Sequence, residues 1–312
     1  MSVKVYSNTF DGKRKMRLSR KDRSNIMQQI KTVGVIGSGT MGAGIAQLLV
    51  QNGYPVILFD IDEATVTRAK EAIESKLNRL VVKEKITHAT SEQAKKNLGI
   101  TTDMNSFADC QLVIEAAPER LEIKRSIFSQ LEEICSKDSI LASNTSSLSI
   151  TEISGQCANP ERIAGLHFFN PAPIMPLVEV VKGLKTASST VETLFQFAQT
   201  INKSPVMCKD TPGFIVNRVA RPFYNEALRI MNDKIATPSQ IDRIMKNAGN
   251  FIMGPFELQD LIGIDINFAT TKSVFEGFHG ESRFRPHYYQ ERMVQSGSLG
   301  RKTKGGFFDY DN

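Results

Sequence analysis

From Thr32 onward the chain alternates short apolar runs with longer amphipathic stretches. Thr32-Val33-Gly34-Val35-Ile36-Gly37 predicts a strand that ends in glycine, and Met41 to Val50 has the composition of a helix, punctuated by Asn52-Gly53. Val56-Ile57-Leu58-Phe59 predicts a second strand stopping at Asp60. From Glu63 to about Lys85, Ala69, Ile73, Leu77, Leu80 and Val81 recur at helical spacing. Further strands are expected at Leu112–Ile114, Ile140–Ala142, Ile163–Leu166 and Val178–Val181, with helices over Leu121–Cys135 and Val191–Asn202. Alternation of helices with continuously apolar strands implies an α/β fold built on a doubly wound, mainly parallel sheet. After the turn Asp210-Thr211-Pro212-Gly213 no further strand is expected. Helices are expected around 217–231, 238–246 and 256–262, with more helical pieces later. This change of character predicts a basic N-terminal extension over 1–30, a sheet domain over 31–210 and a smaller all-α domain over 211–312.

Composition changes this picture only at the N-terminus. With 312 residues, 41% hydrophobic and 23% charged, the chain has ordinary globular values and length for two domains. No apolar run approaches the roughly 18 residues a bilayer span needs, and no membrane association is expected. The net charge of +6 raises the question of nucleic acid. Residues 1–31 hold nine Lys or Arg against Asp11 and Asp22, so the remaining 30 bases face 31 acids. The body is therefore neutral and no nucleic-acid partner is expected. The basic segment reads as a targeting peptide, an anion-binding arm or a solvated tail; its two acids weigh against a mitochondrial presequence and toward the tail. Cys110, Cys135, Cys157 and Cys208 have neither metal-ligand nor disulfide-framework spacing. A reducing compartment follows, the cytoplasm first and the mitochondrial matrix as the alternative. No metal is expected.

Gly37-Ser38-Gly39-Thr40-Met41-Gly42 matches G-x-G-x-x-G, closes a strand, opens a helix and is followed by Asp60, 21 residues after Gly39. That context marks a Rossmann-type dinucleotide site. Gly37 permits the tight turn, Gly39 lets backbone approach a pyrophosphate at the helix N-terminus, and Gly42 allows helix and strand to pack closely. Asp60 can accept from the adenosine ribose hydroxyls and would repel a 2′-phosphate, so NAD is expected rather than NADP. An ordinary βα turn with a solvated Asp is the alternative.

Of four histidines, only His167 ends an apolar strand, in Gly165-Leu166-His167-Phe168-Phe169-Asn170-Pro171. Strand ends at the crevice of a parallel sheet are where such folds place chemistry. Twelve residues on, Leu177-Val178-Glu179-Val180-Val181 carries a lone carboxylate in an apolar strand, a costly placement unless it is paired. If the two strands are neighbours, Glu179 can fix one tautomer of His167. Otherwise they are a surface His and an edge-strand Glu that never meet. Ser143-Asn144-Thr145-Ser146-Ser147 either contacts a nicotinamide or reacting oxygen, or caps the helix that follows.

These motifs together resemble the short-chain L-3-hydroxyacyl-CoA dehydrogenases, a family that includes bacterial 3-hydroxybutyryl-CoA dehydrogenases. The resemblance covers about residues 31 to 310. It continues through Lys209-Asp210-Thr211-Pro212-Gly213-Phe214-Ile215-Val216-Asn217-Arg218, Met253-Gly254-Pro255-Phe256-Glu257-Leu258 and Leu299-Gly300-Arg301-Lys302-Thr303-Lys304-Gly305-Gly306-Phe307-Phe308. It implies His167 as catalytic base with Glu179 as partner, and Ser146 and Asn217 at the C3 oxygen of the substrate. It also implies a cofactor cleft lined by Gly37, Gly39, Thr40, Met41, Gly42, Asp60, Glu119, Lys124, Asn144, Ser146 and Asn170, with Lys83 near the CoA moiety. The implied substrate is an acyl-CoA thioester and the implied assembly a homodimer through the C-terminal domain. A C4 chain, a longer chain and a dicarboxylic 3-hydroxyadipyl chain remain open, as does a non-CoA β-hydroxyacid dehydrogenase. Every motif lies beyond Lys31, so the first 30 residues are expected to contribute nothing to the site.

Overall fold

A computed structural model describes residues 25, 26 and 29–310. Eight strands form one sheet: β1 (Val33–Ile36), β2 (Val56–Phe59), β3 (Leu98–Thr101), β4 (Leu112–Glu115), β5 (Ile140–Ser143), β6 (Ile163–Phe168), β7 (Leu177–Lys182) and β8 (Ser204–Lys209). Their spatial order is β3-β2-β1-β4-β5-β6-β7-β8. The first six run parallel in the order that defines a dinucleotide-binding sheet, with the reversal between β1 and β4 opening the crevice. β7 reverses: it pairs antiparallel with β6, and β8 follows β7 in parallel. β1, β4 and β5 are buried along their whole length, which is why they read as continuous apolar runs.

Helices α1 (Thr40–Gln51), α2 (Glu63–Val82), α3 (His88–Lys96), α4 (Leu121–Ile134), α5 (Ile150–Ile153) and α6 (Ser188–Thr200) belong to the sheet-bearing part. Ile45, Leu49, Leu58, Ile73 and Leu77 meet in the larger of two apolar cores there, and Phe107, Phe128 and Leu131 in the other. Beyond Lys209 the elements are helical: α7 (Val216–Asn232), α8 (Pro238–Asn247), α9 (Pro255–Ile262), α10 (Ile264–Gly277) and α11 (Tyr288–Gln295). A third cluster holds them, around Leu228, Ile241 and Phe256. No helix of the described residues is long and apolar enough to cross a membrane.

Three elements escape the pattern reading. β3 has four residues with only Leu98 buried, too few for an alternation to register. α3 is a polar helix that buries just Ser91 and Ala94. β8 is an edge strand with mixed exposure, and Pro205 is tolerated there because an edge leaves N–H groups unpaired.

The chain's last turns are latched by one carboxylate. Asp260, buried in α9, accepts the backbone N–H of Phe307 and of Phe308 and the hydroxyl of Tyr310, each at 3.0 Å. A Cβ on Gly306 would lie 2.2 Å from an Asp260 oxygen, so the latch closes only over glycine.

The expected break at residue 30 needs adjusting. Ile26 and Ile30 are 4% and 1% exposed and join the main core, with the Ile30 N–H donating to the Ile26 carbonyl at 2.8 Å. The fold therefore begins before Lys31, because two isoleucines four residues apart present one apolar face. Truncating a buried Ile to Ala typically costs about 2–5 kcal/mol. Ile26→Ala and Ile30→Ala should each lower the thermal midpoint, and removing residues 1–30 should lower it further while kcat at 25 °C stays within about twofold. Scanning calorimetry and turnover on the same samples check this, and an unchanged midpoint would show that the contact contributes nothing.

Candidate active site

The β1–α1 turn is built by contact distance. Gly37 takes φ +89°, a left-handed conformation that favours glycine. A Cβ on Gly42 would lie 1.7 Å from the Gly37 carbonyl oxygen, so α1 can begin only beside glycine. Gly39 caps α1 and a Cβ there would meet nothing within 4 Å, leaving open space above the helix N-terminus. A cleft of about 1330 Å³ runs over this turn, lined by Gly37, Gly39, Thr40, Met41 and Asp60 among others. Asp60 Oδ2 accepts from the N–H and Oγ of Ser38, both at 2.8 Å, which fixes the carboxylate at the cleft and leaves Oδ1 with one long 3.5 Å contact. The turn thus fits a dinucleotide: open space and free N–H groups for the pyrophosphate, a fixed carboxylate for the ribose.

On the far side of the sheet reversal, antiparallel pairing places His167 directly opposite Glu179. His167 Nδ1 lies 2.8 Å from Glu179 Oε2, and the residues are 5% and 1% exposed. A carboxylate only accepts, so in the neutral imidazole this bond puts the proton on Nδ1 and the lone pair on Nε2. Glu179 Oε1 accepts the N–H groups of Ile215 at 3.0 Å and Val216 at 2.9 Å, at the N-terminus of α7. One buried carboxylate therefore serves the imidazole and the first helix of the C-terminal part. Phe169 and Phe214 flank the imidazole, at 4.5 and 5.9 Å between ring centroids.

The Ser/Thr-rich loop after β5 is held by a charged cluster. Lys124, 1% exposed on α4, lies 2.6 Å from Glu115 and 3.3 Å from Glu119. Glu119 Oε1 accepts from Thr145 Oγ1 at 2.6 Å and from the N–H groups of Ser146 at 2.9 Å and Ser147 at 3.1 Å. Burial pushes the Glu119 carboxyl up, and the Lys124 charge with the Thr145 and Ser146 hydrogen bonds more than offsets it, holding it below the ordinary range. Asn144 Oδ1 accepts the Phe168 N–H at 2.8 Å, pinning the residue after His167. Asn217, on α7, donates from Nδ2 to the Ser146 carbonyl at 3.3 Å. His167, Glu179, Asn144, Ser146, Asn217, Glu119 and Lys124 are thus tied by short hydrogen-bond paths. The capping alternative for this loop is not what is observed: the cap of α5 is Ser149, outside Ser143–Ser147.

Two residues on the expected list stand apart. Lys83 is exposed at the C-cap of α2, about 30 Å along that helix from its start beside Asp60. Asn170 is exposed, on the cis peptide bond to Pro171. Lys203 ties the following loop, donating to the carbonyls of Ala172 at 2.6 Å and Met175 at 2.8 Å, and burial pushes its ammonium down to about 8.

Two residues were missed. Glu115 is fully buried and accepts from Lys124, the Ala117 N–H and Ser143 Oγ. Its signal was present, a carboxylate closing the apolar run Leu112-Val113-Ile114, the same anomaly that marks Glu179. Asp210, read as a turn residue, accepts from Ser149 Oγ at 2.7 Å and the Thr151 N–H at 2.8 Å, joining the Ser-rich loop to the start of the helical part. That pairing spans some 60 residues and has no local signature.

Family models for the 3-hydroxyacyl-CoA dehydrogenase NAD binding domain and C-terminal domain match residues 32–211 and 213–310. The chain belongs to the 3-hydroxyacyl-CoA dehydrogenase family. It is an NAD-dependent dehydrogenase of that family. A 3-hydroxyadipyl-CoA dehydrogenase of Escherichia coli is 50% identical over 285 residues, covering 91% of this chain, which spans 60% of that relative's length. A 3-hydroxybutyryl-CoA dehydrogenase of Clostridioides difficile is 41% identical over 89% of this chain and 99% of its own. The crystal structure of an (S)-3-hydroxybutyryl-CoA dehydrogenase from Ralstonia eutropha superposes with a TM-score of 0.87 at 38% identity, covering 91% of this chain and all of that one.

The fixed carboxylate at Asp60 generates a cofactor prediction. NADH should be preferred over NADPH in kcat/KM by tenfold or more, and Asp60→Ala should narrow that ratio by weakening NADH use. Steady-state kinetics with both cofactors decide it, and equal use by the native dehydrogenase would remove the role of Asp60.

Proposed function

We propose that this dehydrogenase oxidises the 3-hydroxyl of an (S)-3-hydroxyacyl-CoA to the 3-ketone and runs the reduction in reverse, with His167 as the acid–base group. The carrying observation is the His167–Glu179 pair, whose hydrogen bond leaves Nε2 as the free base. Bound NAD would supply the hydride acceptor for C3, and the chain's own residues do the rest. His167 Nε2 takes the hydroxyl proton, and the imidazolium that forms lies against the Glu179 carboxylate, which lowers the cost of that charge. Ser146 and Asn217, hydrogen-bonded to one another across the two parts of the chain, orient the C3 oxygen toward Nε2. Glu119 and Lys124 hold the Ser146 loop in place, and Asn144 fixes the strand end behind His167. Gly37, Gly39, Thr40, Met41 and Gly42 cradle the pyrophosphate, Asp60 binds the ribose, and Asn170 borders the cleft. Lys83, exposed at the end of α2, meets the phosphates of the CoA portion.

In this reading residues 31–210 bind the cofactor, and 211–312 cover the substrate and pair two copies into a homodimer. Exposed apolar side chains on that second part favour the pairing, among them Val219, Ile244, Phe251, Ile252 and Ile266. The setting is fatty-acid β-oxidation or a related acyl-CoA route in the cytoplasm.

The dyad is tested by kcat. His167→Asn should lower it by about 10²–10⁴-fold while NADH still binds, since general-base catalysis typically supplies that factor. Glu179→Gln should lower it as well, and the double variant should be little worse than His167→Asn alone, because groups acting as a unit are not additive. Acetoacetyl-CoA reduction followed at 340 nm, with NADH binding by fluorescence, reads both. An active His167→Asn would end the proposal.

A further inference from the structure

Arg221 is a buried cation without a counter-ion. It is 3% exposed on α7, and no carboxylate among the described residues pairs with it. Its partners are neutral. Nε donates to the Asn217 carbonyl at 3.1 Å. Nη1 donates to the Asn267 carbonyl at 2.9 Å, to Asn267 Oδ1 at 3.2 Å and to Thr271 Oγ1 at 3.1 Å. Its guanidinium also lies 5.0 Å from the centre of the Tyr224 ring. Enclosing a guanidinium this way costs free energy that neutral acceptors repay only in part. Burial accordingly pushes its pKa down to about 10, and it stays charged at neutral pH.

One donor is still to be placed. Nη2 has no acceptor among the described residues, while the Asn267 side chain, on a residue 1% exposed, turns its remaining N–H toward the Tyr224 hydroxyl. Gln290, which donates to Asn267 Oδ1 at 3.1 Å, brings a partnerless acceptor, Oε1, into the same network. A guanidinium with an N–H group still to place is a donor suited to a carboxylate.

Position ties this guanidinium to the reaction. Arg221 lies four residues after Asn217, about 6 Å along the helix, and its side chain runs back toward the helix N-terminus as its bond to the Asn217 carbonyl shows. In a six-carbon diacid thioester the distal carboxyl carbon lies three C–C bonds beyond C3, about 4 Å away, with its oxygens further out. A guanidinium bonded to the Asn217 carbonyl stays within about that reach of the Asn217 side chain.

We propose that Arg221, held by Asn267, is the receptor for the distal carboxylate of a dicarboxylic 3-hydroxyacyl-CoA, so that this dehydrogenase selects short diacid chains over monoacid chains of equal length. The proposal rests on the placement of the C3 oxygen at Asn217 and Ser146 given above. A carboxylate reaching Nη2 meets a cation that has no counter-ion among the described residues, and an alkyl chain of the same length leaves that cation unpaired.

Adipyl-CoA and hexanoyl-CoA, isosteric except for the terminal group, serve as probes. In the native protein adipyl-CoA should inhibit acetoacetyl-CoA reduction at least tenfold more tightly than hexanoyl-CoA, the scale of a charge-assisted hydrogen bond. Arg221→Gln should abolish that advantage and Arg221→Lys should retain part of it. Equal or better inhibition by hexanoyl-CoA in the native protein overturns the proposal whether or not any variant folds. So does a Gln variant that weakens both thioesters in proportion. Calorimetric titration of the two thioesters without turnover separates the readings. If acetoacetyl-CoA is not reduced but adipyl-CoA still binds tenfold tighter, the reaction assignment fails and the carboxylate receptor stands.

Discussion

Glu179 is a charge enclosed on every side, and the neighbourhood is organised around compensating it. A buried carboxylate left unpaired is strongly destabilising, commonly by about 3–5 kcal/mol when one partner is removed. Here Oε2 faces the imidazole of His167 and Oε1 takes two N–H groups at the start of α7. Those N–H groups are among the four that a helix cannot satisfy internally, and the helix dipole favours a negative charge beside them. The reversal of β7 is what makes the first contact possible. In an antiparallel pair two residues stand directly opposite, so His167 and Glu179 meet side by side at the strand end. One carboxylate thereby sets the tautomer of the base and the seating of the helix that carries Asn217.

The loop after the neighbouring strand β5 solves a related problem with two acids and one base. Lys124 is shared between Glu115 and Glu119, and each acid spends its remaining oxygen capacity on loop groups from Ser143 to Ser147. Small polar side chains are needed there because each must reach a carboxylate within one or two bonds of its backbone. The outcome is a loop positioned by charges and bonded, through Asn144, to the strand end that carries the base.

Much of this was legible in the sequence. The glycine turn and Asp60 were readable because their constraint is local: a left-handed φ at Gly37 and a carbonyl too close to Gly42 leave only glycine. His167 and Glu179 were readable as anomalies, polar groups in apolar strands, although whether they met depended on strand order and direction. Glu115 showed the same anomaly and went unremarked. Asp210, Arg221 and the entry of Ile26 and Ile30 into the core were hidden because their partners lie far along the chain. β3 and β8 were too short or too exposed for periodicity to register. A helical neighbour can be predicted from spacing; a contact between distant segments needs the fold.

The Asp260 latch has a practical consequence for anyone handling the protein. A purification handle or fused domain placed directly after Tyr310 would begin almost on the latch itself. Three hydrogen bonds to one buried carboxylate would carry the thermal tugging of whatever is attached. A flexible Gly/Ser spacer of about ten residues, with a mean span near 17 Å, would decouple that load from α9.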